Sequence, residues 1–116
     1  MAKGVLLVMS SPLDSASEAE FNEWYDRVHA PEIIDRGAAV SFRRFKSTGI
    51  PLKAGIAEPG PQYACIYEIE AETVEDVEAI ARRLEETKDQ SQGVSPAMDL
   101  TSIRAAFLVP VAAGAE

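Results

Sequence analysis

The segment from Val5 to Ser10 is apolar on both parities of a strand, with Leu6 and Val8 on one side and Val5, Leu7 and Met9 on the other. Successive strand residues point to opposite faces, so such a strand needs cover above and below. The pattern from Thr101 to Val109 makes the same demand: Ile103, Ala105, Phe107 and Val109 share one face, and Ala106 and Leu108 the other. Between them, Tyr63 to Ile69 alternates, with Tyr63, Cys65, Tyr67 and Ile69 opposed to Ala64, Ile66 and Glu68.

Two helical patterns separate the strands. Ser17 with Glu20 fits a capping box, and Ser15 with Glu18 a shifted one, so a helix should start there and run to about His29. Pro31 disfavours the α conformation at Ala30 and removes a backbone donor, which predicts an end or a kink. A short turn from Glu32 to Arg36 then closes at Gly37 in a left-handed conformation. Ala38 to Thr48 reads as a strand. Val40 and Phe42 share a parity that Phe45 breaks, which calls for a bulge near Arg43 and Arg44 or for cover on both faces. Gly49 to Pro61, with three prolines and three glycines, is a loop long enough for a lid. Thr73 and Asp76 cap a second helix, whose Val74, Val77, Ile80, Ala81 and Leu84 repeat at spacings of three and four. Gln90 to Asp99 is a second loop, and Val111 to Glu116 a loose tail.

The order β-α-β-β-α-β predicts an α+β, ferredoxin-like domain: a four-stranded antiparallel sheet with two helices on one face. It forms one domain over residues 1–116, with a core from about 4 to 110. Two helices cover one face of the sheet only. The second apolar face calls for a homodimer packed sheet to sheet around an enclosed cavity.

Charge narrows the partners. Nineteen acidic against 11 basic residues give a net charge of −8, against nucleic acid and anionic membrane surfaces alike. Cys65 is the only cysteine, which fits a reducing compartment. The apolar run after Met1-Ala2-Lys3 is too short for a signal sequence, and no stretch reaches the length of a membrane span, so a cytoplasmic location is expected. One histidine and one cysteine cannot make a structural zinc site, and nothing in the chain calls for a cofactor.

The chemically able residues concentrate in Phe21 to Ile34, which holds the only tryptophan and the only histidine. On a helical wheel with Phe21 at zero, Trp24, Tyr25 and Val28 fall within roughly 60° of it, and His29 and Asp26 at about 80° and 140°. Tyr25 and His29 are then neighbours at i, i+4, and Asp26 and His29 at i, i+3. A histidine at the edge of a buried stripe, beside a phenol and a carboxylate, is equipped to act as a general base. The same spacing also fits core packing by Phe21, Trp24, Tyr25 and Val28, with His29 as a C-terminal helix cap.

The run Phe21-x-x-Trp24-Tyr25-Asp26-x-x-His29-x-Pro31-Glu32 resembles the signature of EthD-like proteins in the dimeric α+β barrel superfamily, and the element order resembles that superfamily over almost the whole chain. The resemblance implies a small homodimer and a cofactor-independent isomerase, cyclase, dehydratase or monooxygenase. Its substrate would be small and hydrophobic, aromatic or polyketide-like, and His29 would transfer the proton. It also leaves room for a non-catalytic small-molecule-binding or accessory protein, and for a haem protein with His29 as axial ligand. Several superfamily enzymes use more than one histidine; here a second proton-transfer group would come from Tyr25, Asp26, Tyr63, Tyr67 or Arg43. Trp24, Tyr63, Tyr67 and Arg43 are the candidates for contact with substrate. Arg43, Arg44 and Lys46 on the second strand could meet an anionic substrate, although surface solvation also accounts for them.

Overall fold

The computed structural model describes residues 3–114. Strands β1 (Gly4–Pro12), β2 (Ser41–Lys46), β3 (Tyr63–Ile69) and β4 (Met98–Leu108) form one antiparallel sheet in the order β2-β3-β1-β4. From β1 to β2 the chain runs through α1 (Glu18–Trp24), a π-helical turn (Tyr25–His29) and α2 (Ala30–Asp35), and α3 (Val74–Glu86) joins β3 to β4. This is the ferredoxin-like α+β arrangement expected from the strand and helix patterns.

Register assigns the two faces. Leu6 pairs with Tyr67 and Phe107, Val8 with Cys65 and Ala105, and Arg44 with Cys65, so all of these point to one side. There Leu6, Cys65, Tyr67 and Ile69 pack with Phe21, Tyr25, Ala30 and Ile33 of the helices. Burial of each large ring contributes about 2–3 kcal/mol. The other face presents Val5, Leu7 and Met9 of β1, Ala64 and Ile66 of β3, Phe45 of β2 and Leu108 of β4. Phe45 and Leu108 are exposed.

Three local expectations are sharpened or changed. The end or kink expected at Pro31 takes the form of a widened turn just before it: the Ala30 N–H reaches the Tyr25 carbonyl, five residues back, and Pro31 then sits in the first turn of α2. A proline ring collides with the carbonyl four residues before it, and a widened turn relieves that collision while the helix continues. Second, β2 holds no bulge: its pairing with β3 is continuous from Ser41 to Lys46. The irregularity is instead between Met9 and Ser11 of β1 and the start of β4. Phe45 lies on the second apolar face, and Arg44 turns under the helix. Third, neither serine-based box starts α1; the Asp14 carboxylate accepts the Ser17 N–H at 2.9 Å and caps a single 3₁₀ turn, Ser15–Ser17.

Other signals hold. Thr73 and Asp76 form the reciprocal capping box of α3. Gly37 ends α2 at φ +80°, and the Arg83 guanidinium lies where a side chain would go. The loop between β2 and β3 is exposed apart from Pro61. At the C-terminus, residues 111–114 carry no regular structure, while Ala115 and Glu116 of the expected tail lie outside the described residues.

Candidate functional site

The π-helical turn decides what His29 meets. One extra residue in a turn sets everything after it back by about 100°. His29 therefore leaves the Asp26 side of the helix and swings toward Trp24, five residues earlier. The two rings stack with centroids 4.7 Å apart and an interplanar angle of 16°. The Tyr25 ring stands edge-on to His29 at 5.0 Å and to Trp24 at 5.5 Å. Burial among these rings pulls the His29 pKa below its ordinary value; Glu32 opposes that shift and Arg36 adds to it. Burial thus disfavours the charged form of the imidazole.

Asp26 goes elsewhere. Its Oδ1 accepts from Arg44 Nη1 at 2.8 Å, and Arg44 Nη2 donates to Asn22 Oδ1 at 3.0 Å. The Arg44 side chain is only 10% exposed, with its guanidinium 4.4 Å from the Tyr25 ring centroid, 5.1 Å from Tyr63 and 5.5 Å from Phe21. Arg44 is therefore a buried cation held by a carboxylate, an amide and three ring faces, not a solvated surface charge. Next to it, the Tyr63 hydroxyl donates to the Glu18 carboxylate and accepts from Asn22 Nδ2 at 3.1 Å. Lys46 Nζ lies 2.8 Å from the same carboxylate. Lys46, and then Tyr63, hold the Glu18 carboxyl below the usual range, and Glu18 in turn raises Lys46.

Tyr25 and Tyr67 also meet inside the seam. Both are 1% exposed; neither hydroxyl makes a well-formed hydrogen bond among the described residues, but each lies close to the other, with Ser10 beside Tyr25 and Cys65 beside Tyr67. Burial pushes the Tyr25 phenol up to about 12 and Tyr67 higher still, so both stay protonated. The Cys65 thiol beside them is pushed up to about 11, chiefly by burial, which leaves it an unreactive apolar filler.

Of the site residues expected from sequence, Trp24, Tyr25 and His29 come together. Asp26 belongs to the Arg44 group, Tyr63 to the Glu18 group and Tyr67 to the inner seam. Arg43 is on the opposite face of the sheet, with its guanidinium 5.1 Å from the Phe45 ring centroid. Sequence reasoning missed Glu18, Asn22 and the buried role of Arg44. A signal was available: Glu18, Asn22 and Asp26 form an i, i+4, i+8 polar stripe, and Arg44 and Lys46 alternate on one strand face.

The stripe bearing Asn22 and Asp26 reaches β2 through Arg44. At the other edge of the sheet Ala105 and Phe107, the helix-side residues of β4, are exposed. A cavity of about 520 Å³ lies at the end of β2 and β3 under the 47–62 loop, lined by Met9, Phe45, Lys46, Glu58, Pro61 and Tyr63 among others. His29 does not line it. Among the described residues, no group of three or more His, Cys, Asp or Glu side chains is placed to hold a metal ion, and no helix is long and apolar enough to cross a membrane.

No protein-family model matches the chain, and no curated protein matches it significantly. Among solved structures, it is similar to a dimeric ferredoxin-like protein of unknown function from Jannaschia sp. CCS1. The two share 16% identity over 91% of this chain and 97% of the other, with a TM-score of 0.47.

Proposed function

We propose that the protein is an EthD-like dimeric α+β barrel that transfers a proton, without a cofactor, on a small hydrophobic aromatic or polyketide-like molecule. The observation that carries this reading is the Trp24–His29 stack, in which burial disfavours the charged form of the imidazole. An apolar substrate lies beside that stack with a carbonyl-activated C–H toward His29. The imidazole takes the proton, and the electron pair passes to the carbonyl oxygen as an enolate. The imidazolium then lies over the Trp24 face and near the Glu32 carboxylate, both of which favour its charge. Return of the proton to another carbon gives isomerisation. Loss of a neighbouring hydroxide, which takes the proton and leaves as water, gives dehydration.

The test is hydrogen–deuterium exchange in D₂O. A panel of aromatic 1,3-diketones is followed by NMR with the wild-type chain and with His29→Ala. Catalysed exchange at the carbon between the carbonyls, lost in the variant while its circular dichroism is unchanged, supports proton transfer. Equal exchange by both proteins overturns it.

A second reading, a binding or accessory protein with no chemistry, is favoured by the 520 Å³ cavity, which His29 does not line. A panel molecule bound but never exchanged supports that reading.

A further inference from the structure

We propose that the cavity under the 47–62 loop is a site for a planar aromatic carboxylate. This deepens the binding reading and is independent of proton transfer at His29. Its volume of about 520 Å³ is in the range of small-ligand sites. Its wall combines apolar Met9, Phe45, Pro59, Pro61 and Ala64 with polar side chains that include Lys46, Glu58 and Tyr63. Flat rings and prolines suit a flat aromatic body.

The charge preference comes from β2. Lys46 is the one cationic residue that lines the cavity, in a chain of net charge −8; Arg43 lies against the Phe45 ring but does not line it. Lys46 is held by Glu18 at 2.8 Å and lies 5.7 Å from the ring centroid of Tyr63, itself a lining residue, which limits how far its ammonium moves. One ammonium hydrogen goes to Glu18, leaving others for a ligand carboxylate. Glu58 also lines the cavity; its Oε1 accepts from the Ser47 hydroxyl at 3.4 Å, and it sets the limit on how much negative charge the site tolerates. One carboxylate, near Lys46 and away from Glu58, satisfies both.

The experiment titrates the whole chain with naphthoate, naphthol and naphthylmethylamine by ligand-observed NMR and calorimetry. Naphthoate should bind about tenfold more tightly than naphthylmethylamine, the scale of one charge-assisted hydrogen bond. Lys46→Gln should remove that preference and Lys46→Arg should keep it. Phe45→Ala should weaken both ligands, and His29→Ala should change neither. Lys46 is exposed, so the glutamine variant keeps the fold. A preference for the amine, a naphthoate preference that survives Lys46→Gln, loss of naphthoate binding in His29→Ala, or no binding of any of the three probes would overturn the proposal.

Discussion

Trp24 and His29 are five residues apart and stack ring on ring at 4.7 Å, because the π-helical turn between them sets the imidazole back from Asp26. Trp24 is the only tryptophan, so its fluorescence reports on that ring contact. An imidazolium quenches a stacked indole more than an imidazole does. Fluorescence should fall as pH drops, with a midpoint below the ordinary 6.5 of a histidine, since burial disfavours the charged form. His29→Ala should abolish the step. A midpoint above 6.5 would contradict the burial argument.

The same shift has a stability consequence. Below about 6.5 the unfolded chain protonates its histidine while the folded chain does not. The unfolded state then binds more protons, so stability falls as pH decreases, until the folded-state pKa is passed. Above about 6.5 the group adds no slope. Urea midpoints of wild type and His29→Phe, measured at pH steps from 7.5 down to about 5, should diverge below 6.5 and run parallel above it.

Arg44 offers a direct test of the buried cation. Arg44→Ala removes its ring contacts, leaves a space and strips Asn22 and Asp26 of their donor, at a cost of about 3 kcal/mol. Asp26 is 55% exposed and can return to water, so Arg44→Met, which refills the volume, should cost only about 1 kcal/mol. Denaturant melts of the two variants check the ranking. Equal losses would mean that the charge, not the volume, holds the site.

Much of this fold was legible because it depends on period. Alternation in Tyr63–Ile69, the Thr73 and Asp76 cap and the element order all come from local rules, and the structure follows them. What was not legible depends on one added residue. On an ideal wheel His29 sits with Asp26; the π-helical turn, an accommodation to Pro31, reassigns it to Trp24. Arg44 was misplaced for a similar reason. The bulge offered to reconcile Phe45 with Val40 and Phe42 competed with plain alternation and cover on both faces; pairing with β3 shows the alternation, which puts Arg44 on the helix side.

The tyrosines of the helix-facing seam separate by their hydroxyls. Tyr67 and Tyr25 bury hydroxyls that make no well-formed hydrogen bond and lie close to each other, so Tyr67→Phe and Tyr25→Phe should change stability by less than about 1 kcal/mol. Tyr63 binds Glu18 and Asn22, so Tyr63→Phe should cost about 1–2 kcal/mol. Chemical denaturation of the three variants gives the comparison. A loss above about 1 kcal/mol at Tyr67 would show that its hydroxyl is bonded in solution.

The uncovered sheet face makes the last prediction. Val5, Leu7, Ile66, Ala106 and Leu108 form an apolar patch across β3, β1 and β4; Glu68, Arg43 and Arg104 share this face, and Met9, Ala64 and Phe45 at its other end line the cavity under the 47–62 loop. A surface of this kind on a stable chain is an association site, and a second copy packed sheet to sheet buries the same residues on both sides. Light scattering should therefore give twice the mass of the 12.5 kDa chain. Ile66→Lys places a charge at the middle of the face, where burial without a partner costs several kcal/mol, and should yield a monomer with unchanged circular dichroism. The residue points away from the helices, so the core on the other side is untouched. A wild-type monomer, or an Ile66→Lys dimer, would refute sheet-to-sheet pairing.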